Sequence, residues 1–261
     1  MLKIDQDFAG RQIPGDRPYQ EDAQGFASLV ENSESEVEVL LVVLADGMGG
    51  ENAGDHASSS VVLRFVEFCH EFESTDRMTM QQMLLCAMNT ANNGLAADIE
   101  TDPMLEGMGT TILAAVVSQD SLYWLSVGDS PLYLYRDGCL EQLNEDHSMM
   151  PLLERQVEDG FLHESQLATH PERNVLRAAL TGEEITLVDC PQEGFRLLPG
   201  DVVIVASDGI QTLDEEQILD CIEKNLTLTA DEITRELIEA VKAAAKPRQD
   251  NASINVIRIP N

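Results

Sequence analysis

The chain has 261 residues, 43% of them hydrophobic, and carries 47 Asp and Glu against 16 Lys and Arg, a formal net charge of −31. That apolar content is enough to bury a sizeable core, which excludes disorder. A surface this negative excludes nucleic acid and anionic lipid as partners, because binding either requires Lys or Arg to neutralise phosphates. No run of about 18 apolar residues occurs, so no membrane span is expected. The opening MLKIDQDFAG has no apolar stretch of the secretory kind. Cys69, Cys86, Cys139, Cys190 and Cys221 stand singly, without a CxxC pair, as expected of reduced thiols in a cytoplasmic protein.

In chain order, residues 37–45 (VEVLLVVLA) form a β-branched apolar run that reads as a strand ending abruptly at Asp46-Gly47. Residues 53–73 and 78–100 read as helices, and Met78, Met80, Met83 and Met88 as packing residues around the second. Strands are predicted over 110–117 and 122–127, joined by the polar SQDS turn. A hairpin over 132–135 and 139–143 turns at Asp137-Gly138. Residues 144–182 are polar and irregular, with MMPLLERQVEDG helical inside them. A buried strand over 202–206 runs into Asp208-Gly209. Helices over 213–223 and 230–245 follow, the second opened by a Thr229/Asp231 cap signal. An alternating strand over 253–259 closes the chain. No repeat, Gly/Ser linker or low-complexity tract interrupts it, so residues 1–261 are expected to form one domain. Strands joined by tight turns imply antiparallel sheets, with the helical blocks layered over them.

Several acids stand where predicted strands end: Asp46 in LADGMGG, Asp129 in VGDS, Asp208 in ASDG and Asp250 in QDNAS. Strand ends aim their side chains rigidly at the rim of a sheet. If the strands converge, the carboxylates meet, and like charges at close quarters demand a counter-ion. Hard oxygen donors without a Cys or His pattern suit Mg2+ or Mn2+ rather than zinc. Any one strand-end Asp-Gly is also an ordinary turn, so this pattern alone leaves the cluster open.

Longer strings occur in a fixed order: GDRPYQED over 15–22, LADGMGG over 44–50, Gly109-Thr110-Thr111, Val127-Gly128-Asp129-Ser130, Ser207-Asp208-Gly209 and Asp250-Asn251. Together, over residues 8–259, they resemble the type 2C metal-dependent protein phosphatase family. The resemblance implies an α+β fold, a four-layer α-β-β-α sandwich of two central antiparallel β-sheets flanked by helix pairs, with a flap over 147–180 beside the site. It also implies two Mn2+ or Mg2+ ions and a third, weaker divalent ion. Asp46 would bridge the first two, with the Gly47 carbonyl on one of them. Glu21 would bind one ion, with Asp22 a ligand through water. Asp208 and Asp250 would hold the other, and Asp129 with Asp208 the third. Arg17 would clamp the substrate phosphate in two-pronged fashion.

The activity implied is hydrolysis of phosphoserine and phosphothreonine esters by a metal-activated water, opposing a bacterial Ser/Thr kinase. The partner would be a phosphorylated protein substrate, with no nucleic acid and no membrane, and the chain a monomer. The strings also depart from the family pattern. Met48 stands where many eukaryotic members have a His, leaving the general acid undefined, and Pro131, Gln20 and Ser253 replace the usual Arg, Asn and Thr. A second class, a binding module that recognises phosphoproteins without turning them over, is expected only if an acid at 46, 208 or 250 were lost, and all three are present. The net charge further predicts that acidic phosphopeptides are disfavoured substrates.

Overall fold

In the strand Val39–Met48 every residue from Leu40 to Ala45 is buried, so both faces of this strand must be covered by other layers. Leu41, Val43 and Ala45 face one way and pack with helical residues such as Val61, Phe65, Leu84 and Leu95. Leu40, Val42 and Leu44 face the other way and meet Leu132, Leu134, Val203 and Val205. The alternation follows from the period of two along a strand. The computed structural model describes residues 1–29, 36–49, 53–71, 79–167 and 169–260.

Two antiparallel sheets stack through that second face. One has the strand order Cys139–Gln142, Leu132–Arg136, Val202–Ala206, Ala252–Arg258, Phe8–Ile13. The other runs Phe195–Arg196, Ser121–Val127, Ile112–Ser118, Val39–Met48, Asp22–Ser28. Helices Ala53–Glu71 and Met80–Thr101 cover the second sheet. Helices Glu215–Lys224 and Ala230–Ala244 cover the first, where Ile218, Ile222, Ile233 and Leu237 meet Ile204 and Ile254. The four-layer α-β-β-α sandwich expected from the resemblance is therefore the fold observed.

Local chemistry sets the helix starts. Thr79 with Gln82, Asp214 with Gln217 and Thr229 with Glu232 each form a reciprocal capping box. Because Asp214 is a cap, the helix expected over 213–223 begins at Glu215. Ala245, the last residue of the helix expected over 230–245, is instead its left-handed cap. The predicted helix ends at 72–73 and 78, Met78 itself, and Gly50 of the LADGMGG string lie outside the described residues.

Three differences from the sequence reading bear on function. The strand predicted to stop at Asp46 continues to Met48, because Asp46 lies opposite Asp22 and Gly47 opposite Thr110. Strands Phe8–Ile13 and Asp22–Ser28 had no counterpart in the sequence reading, and the second opens at Asp22. The irregular 144–182 stretch holds, besides the expected helix Met150–Glu158, a second short one, Glu164–Leu167.

Candidate metal centre

The strand ends bearing acids do converge. A cavity of about 720 Å³ at one end of the two sheets is lined by Arg17, Glu21, Asp46, Gly47, Asp129, Asp208 and Asp250, with residues 174–179 of the 147–180 segment forming part of its wall. Asp22 lies behind that wall rather than on it: it is 4% exposed and pairs across the ladder with Asp46.

Asp46 is held from its backbone outward. Its N–H donates to Thr111 Oγ1 at 3.0 Å, and its carbonyl accepts from Thr111 N and Thr110 Oγ1, both at 2.9 Å. The Gly47 N–H donates to the Glu21 carbonyl at 3.1 Å. A Cβ on Gly47 would collide with the Gly54 carbonyl, and one on Gly54 would come within 2.6 Å of Glu21 Oε1. These two glycines let the first helix press its N-terminal turn against the strand and beside the Glu21 carboxylate, where the helix dipole favours negative charge.

Asn251 organises the segment carrying Arg17 and Glu21. Its Oδ1 accepts from Glu21 N at 2.8 Å, while its Nδ2 donates to the carbonyls of Pro14 and Tyr19 at 2.9 and 3.0 Å. Arg17 donates to Asp250 Oδ2 at 2.6 Å, and this hydrogen bond, against some desolvation, raises the guanidinium pKa. On the opposite side, Asp129 follows Gly128, whose φ of +114° and packing on Thr111 leave no room for a side chain. His147 braces that turn: its N–H donates to the Gly128 carbonyl at 3.0 Å and its Nδ1 accepts from Gly128 N at 3.3 Å.

The electrostatics are those of a site short of positive charge. Asp46, Asp129 and Asp208 keep part of their surface open to the cavity, yet the surrounding walls exclude enough water to penalise the ionised form. Desolvation is the first cause for each, and repulsion from neighbouring acids adds to it. Asp129 is pushed up to about 7 and Asp208 to about 6. Asp46 is raised well above the carboxylate range, with Asp22, Asp208, Asp129 and Asp250 all acting on it. Asp22, also raised to about 6, is held down in part by Ser253 and Ser207, whose hydroxyls donate to its Oδ2 at 2.7 and 2.8 Å.

One buried oxygen, Asp22 Oδ1, has no hydrogen-bond partner at all. Among the described residues no three acidic, histidine or cysteine side chains are closed into a ready-made cage. The donor set is nevertheless oxygen-only, mutually repelling and partly orphaned, which is the chemistry that hard divalent cations satisfy. The residues present fit such ions.

A family profile described as Protein phosphatase 2C matches residues 21–246. The chain belongs to the protein phosphatase 2C family. Serine/threonine protein phosphatase PstP of Mycobacterium tuberculosis is 33% identical over 184 residues, which are 70% of this chain and 34% of that protein. The chain thus spans about a third of the length of that curated relative. A putative protein phosphatase 2C-type of Streptococcus pyogenes is 30% identical over 223 residues, 84% of this chain and 85% of the relative. A crystal structure of the catalytic domain of PstP in complex with two manganese ions is similar in fold, with a TM-score of 0.74 at 28% identity over 97% of this chain and 98% of that one. The phosphatase 2C match takes in Glu21, Asp46, Asp129 and Asp208 but stops short of Arg17 and Asp250, which rest on the geometry.

Sequence reasoning placed the acids and overlooked their supports. Ser207, Thr110, Thr111 and Asn251 all lay inside strings already noted, and Ser253 had registered only as a departure from a Thr. Nothing local marked them as partners of Asp22, Asp46 and Glu21.

Proposed function

We propose that this phosphatase 2C chain is a metal-dependent phosphoprotein phosphatase that hydrolyses phosphoserine and phosphothreonine esters in opposition to a bacterial Ser/Thr kinase. The observation that carries this reading is the convergence of Asp46, Asp129 and Asp208 in one cavity with their carboxyls pushed toward neutrality. Asp46, with the Gly47 carbonyl, Glu21, Asp208 and Asp250, would hold two Mn2+ or Mg2+ ions, Asp22 would support them through water, and Asp129 would share a third with Asp208. When bound, such ions supply an activated water and neutralise charge on the phosphoryl oxygens.

The chain's own residues do the positioning. Thr110 and Thr111 lock the Asp46 backbone, Asn251 fixes the loop that carries Glu21, and Ser207 and Ser253 orient Asp22. Arg17 presents a planar fork suited to two phosphate oxygens. Asp250 holds one prong of that fork, Nη2, so Asp250 and the substrate phosphate compete for it, and engaging Asp250 elsewhere frees the guanidinium. Met48 lines the cavity where a proton donor would stand in other members, which leaves the leaving group to be protonated by water.

The 261 residues act as one domain, the 147–180 flap selects substrate, and the chain works as a cytoplasmic monomer. No helix among the described residues is long and apolar enough to cross a membrane. Hydrolysis of p-nitrophenyl phosphate in Mn2+, in chelator, and by an Asp46→Asn variant tests the reading. Turnover that survives the chelator, or none with Mn2+, would sink it.

A further inference from the structure

Beside the metal pocket, and sharing Arg17, Asn174, Asp208 and Asp250 with it, lies a second cavity of about 830 Å³. Its remaining wall includes Arg173, Lys246 and Arg248. Four of the chain's sixteen cations therefore border one hollow of a molecule with a net charge of −31. Among the described residues, eight Lys and Arg side chains are matched to carboxylates elsewhere or at Asp250. Lys246 and Arg248 are exposed and form no such pair among the described residues.

The segment that carries them is built, not loose. Gln249 is 7% exposed and staples it from below: its Nε2 donates to the Gly209 and Asp250 carbonyls at 3.3 and 3.1 Å, and its Oε1 accepts from Thr212 Oγ1 at 2.5 Å. Its backbone exchanges hydrogen bonds with Asp16, at 2.8 and 3.2 Å. Arg248 itself sits at φ +60°, the left-handed region that an L-residue seldom adopts. Strain retained at an exposed arginine points to a use for where that side chain is aimed. Of the acids in this wall, Asp16 accepts from the Gln249 N–H, Asp250 pairs with Arg17, and Asp208 belongs to the acidic cluster of the first cavity. Glu183 and Glu184, by contrast, line the metal pocket and not this cavity.

We propose that Lys246 and Arg248, with Arg173, form a second anion subsite that selects phosphoproteins bearing an acidic side chain or a second phosphoryl group near the scissile phosphate. This rests on the phosphatase reading and names its substrate class. It reverses the preference that net charge alone predicts, because screening over about 8–10 Å lets the nearest charges decide. A phosphoryl flank, carrying more charge than a carboxylate, should be preferred at least as strongly as an aspartate flank.

The test uses one phosphothreonine peptide with alanine, aspartate or phosphoserine flanks on either side, read as ratios of kcat/KM. In the wild type with Mn2+ the anionic flanks should raise kcat/KM about fivefold over alanine, an advantage that shrinks in high salt. In a Lys246→Gln/Arg248→Gln variant, checked for folding by its thermal transition, the ratio should fall to about one by a rise in KM. A wild-type ratio of one or less, or a ratio that survives the double substitution, overturns the subsite. If no peptide or p-nitrophenyl phosphate is turned over, the phosphatase reading has failed separately. Fluorescence anisotropy of the same peptides then decides the subsite: tighter binding of anionic flanks by wild type than by the variant upholds it, and equal binding overturns it.

Discussion

Asp98 and Asp46 are the same residue in opposite electrical situations. Asp98, on the helix Met80–Thr101, receives a two-pronged ion pair from Arg64 at 2.8 and 2.9 Å and a contact from His56 Nε2 at 2.9 Å. Those partners, Arg64 first, draw its pKa below the ordinary carboxylate value. Asp46 meets desolvation and four other acids, and its pKa moves the other way. Where the fold wants a paired acid it supplies the cation from the chain, and at the strand ends it supplies more acids instead. The imbalance marks where charge from outside belongs.

That contrast is broken most severely at its centre. Asp46→Asn keeps the shape and removes the charge, and kcat on p-nitrophenyl phosphate is expected to fall about 10³-fold or more. Retained activity would mean that Asp46 is no ligand. Next, Arg17→Lys keeps the charge but loses the fork. A drop in kcat/KM of about 10- to 100-fold is expected, with added salt unable to restore it.

The pH dependence of stability sharpens the same point. The folded-state pKa values of Asp22 and Asp208 (about 6) and Asp129 (about 7) lie above the ordinary 3.8, so the folded chain holds protons that the unfolded chain has released. Their contribution is complete below about pH 4 and is lost as pH rises through 6 to 7. In chelator, Tm should therefore decline from pH 5 to pH 8, and saturating Mn2+ should flatten that decline. A flat profile in chelator contradicts the charge deficit. The smallest effect is expected at the balanced acid. Arg64→Ala, at a partly exposed pair, should cost about 0.5–1 kcal/mol in chemical denaturation and leave kcat/KM unchanged.

Asp46 and Asp208 drew notice because they close the apolar runs at 39–45 and 202–206, but that pattern left them open and only the ordered strings of the resemblance singled them out as ligands. The start of the last helix was legible from the Thr229/Asp231 cap signal, although the box closes on Glu232, whereas the Asp214 and Thr79 caps went unread. The strands Phe8–Ile13 and Asp22–Ser28 were not legible, because Gly10 and Gly25 and several polar residues dilute their alternation. Gly10 is explained only in three dimensions: a Cβ there would meet Asn255 Oδ1 at 2.3 Å and the Phe26 ring at 2.8 Å, the first from a neighbouring strand and the second from the other sheet. Ser207 and Ser253 were hidden likewise, standing 185 and 231 residues from the Asp22 they hold. Sequence patterns report what a residue does to its own segment and stay silent on partners that distant.

Asp22 opens a strand of one sheet, while Ser253 belongs to a strand of the other and Ser207 directly follows one. Their hydrogen bonds thus rivet the two halves of the sandwich at the end where the acids gather. Emptying or filling that end should change amide exchange in Asp22–Ser28 and Ala252–Arg258 together, as a single opening unit, rather than in the loops around the cavity alone.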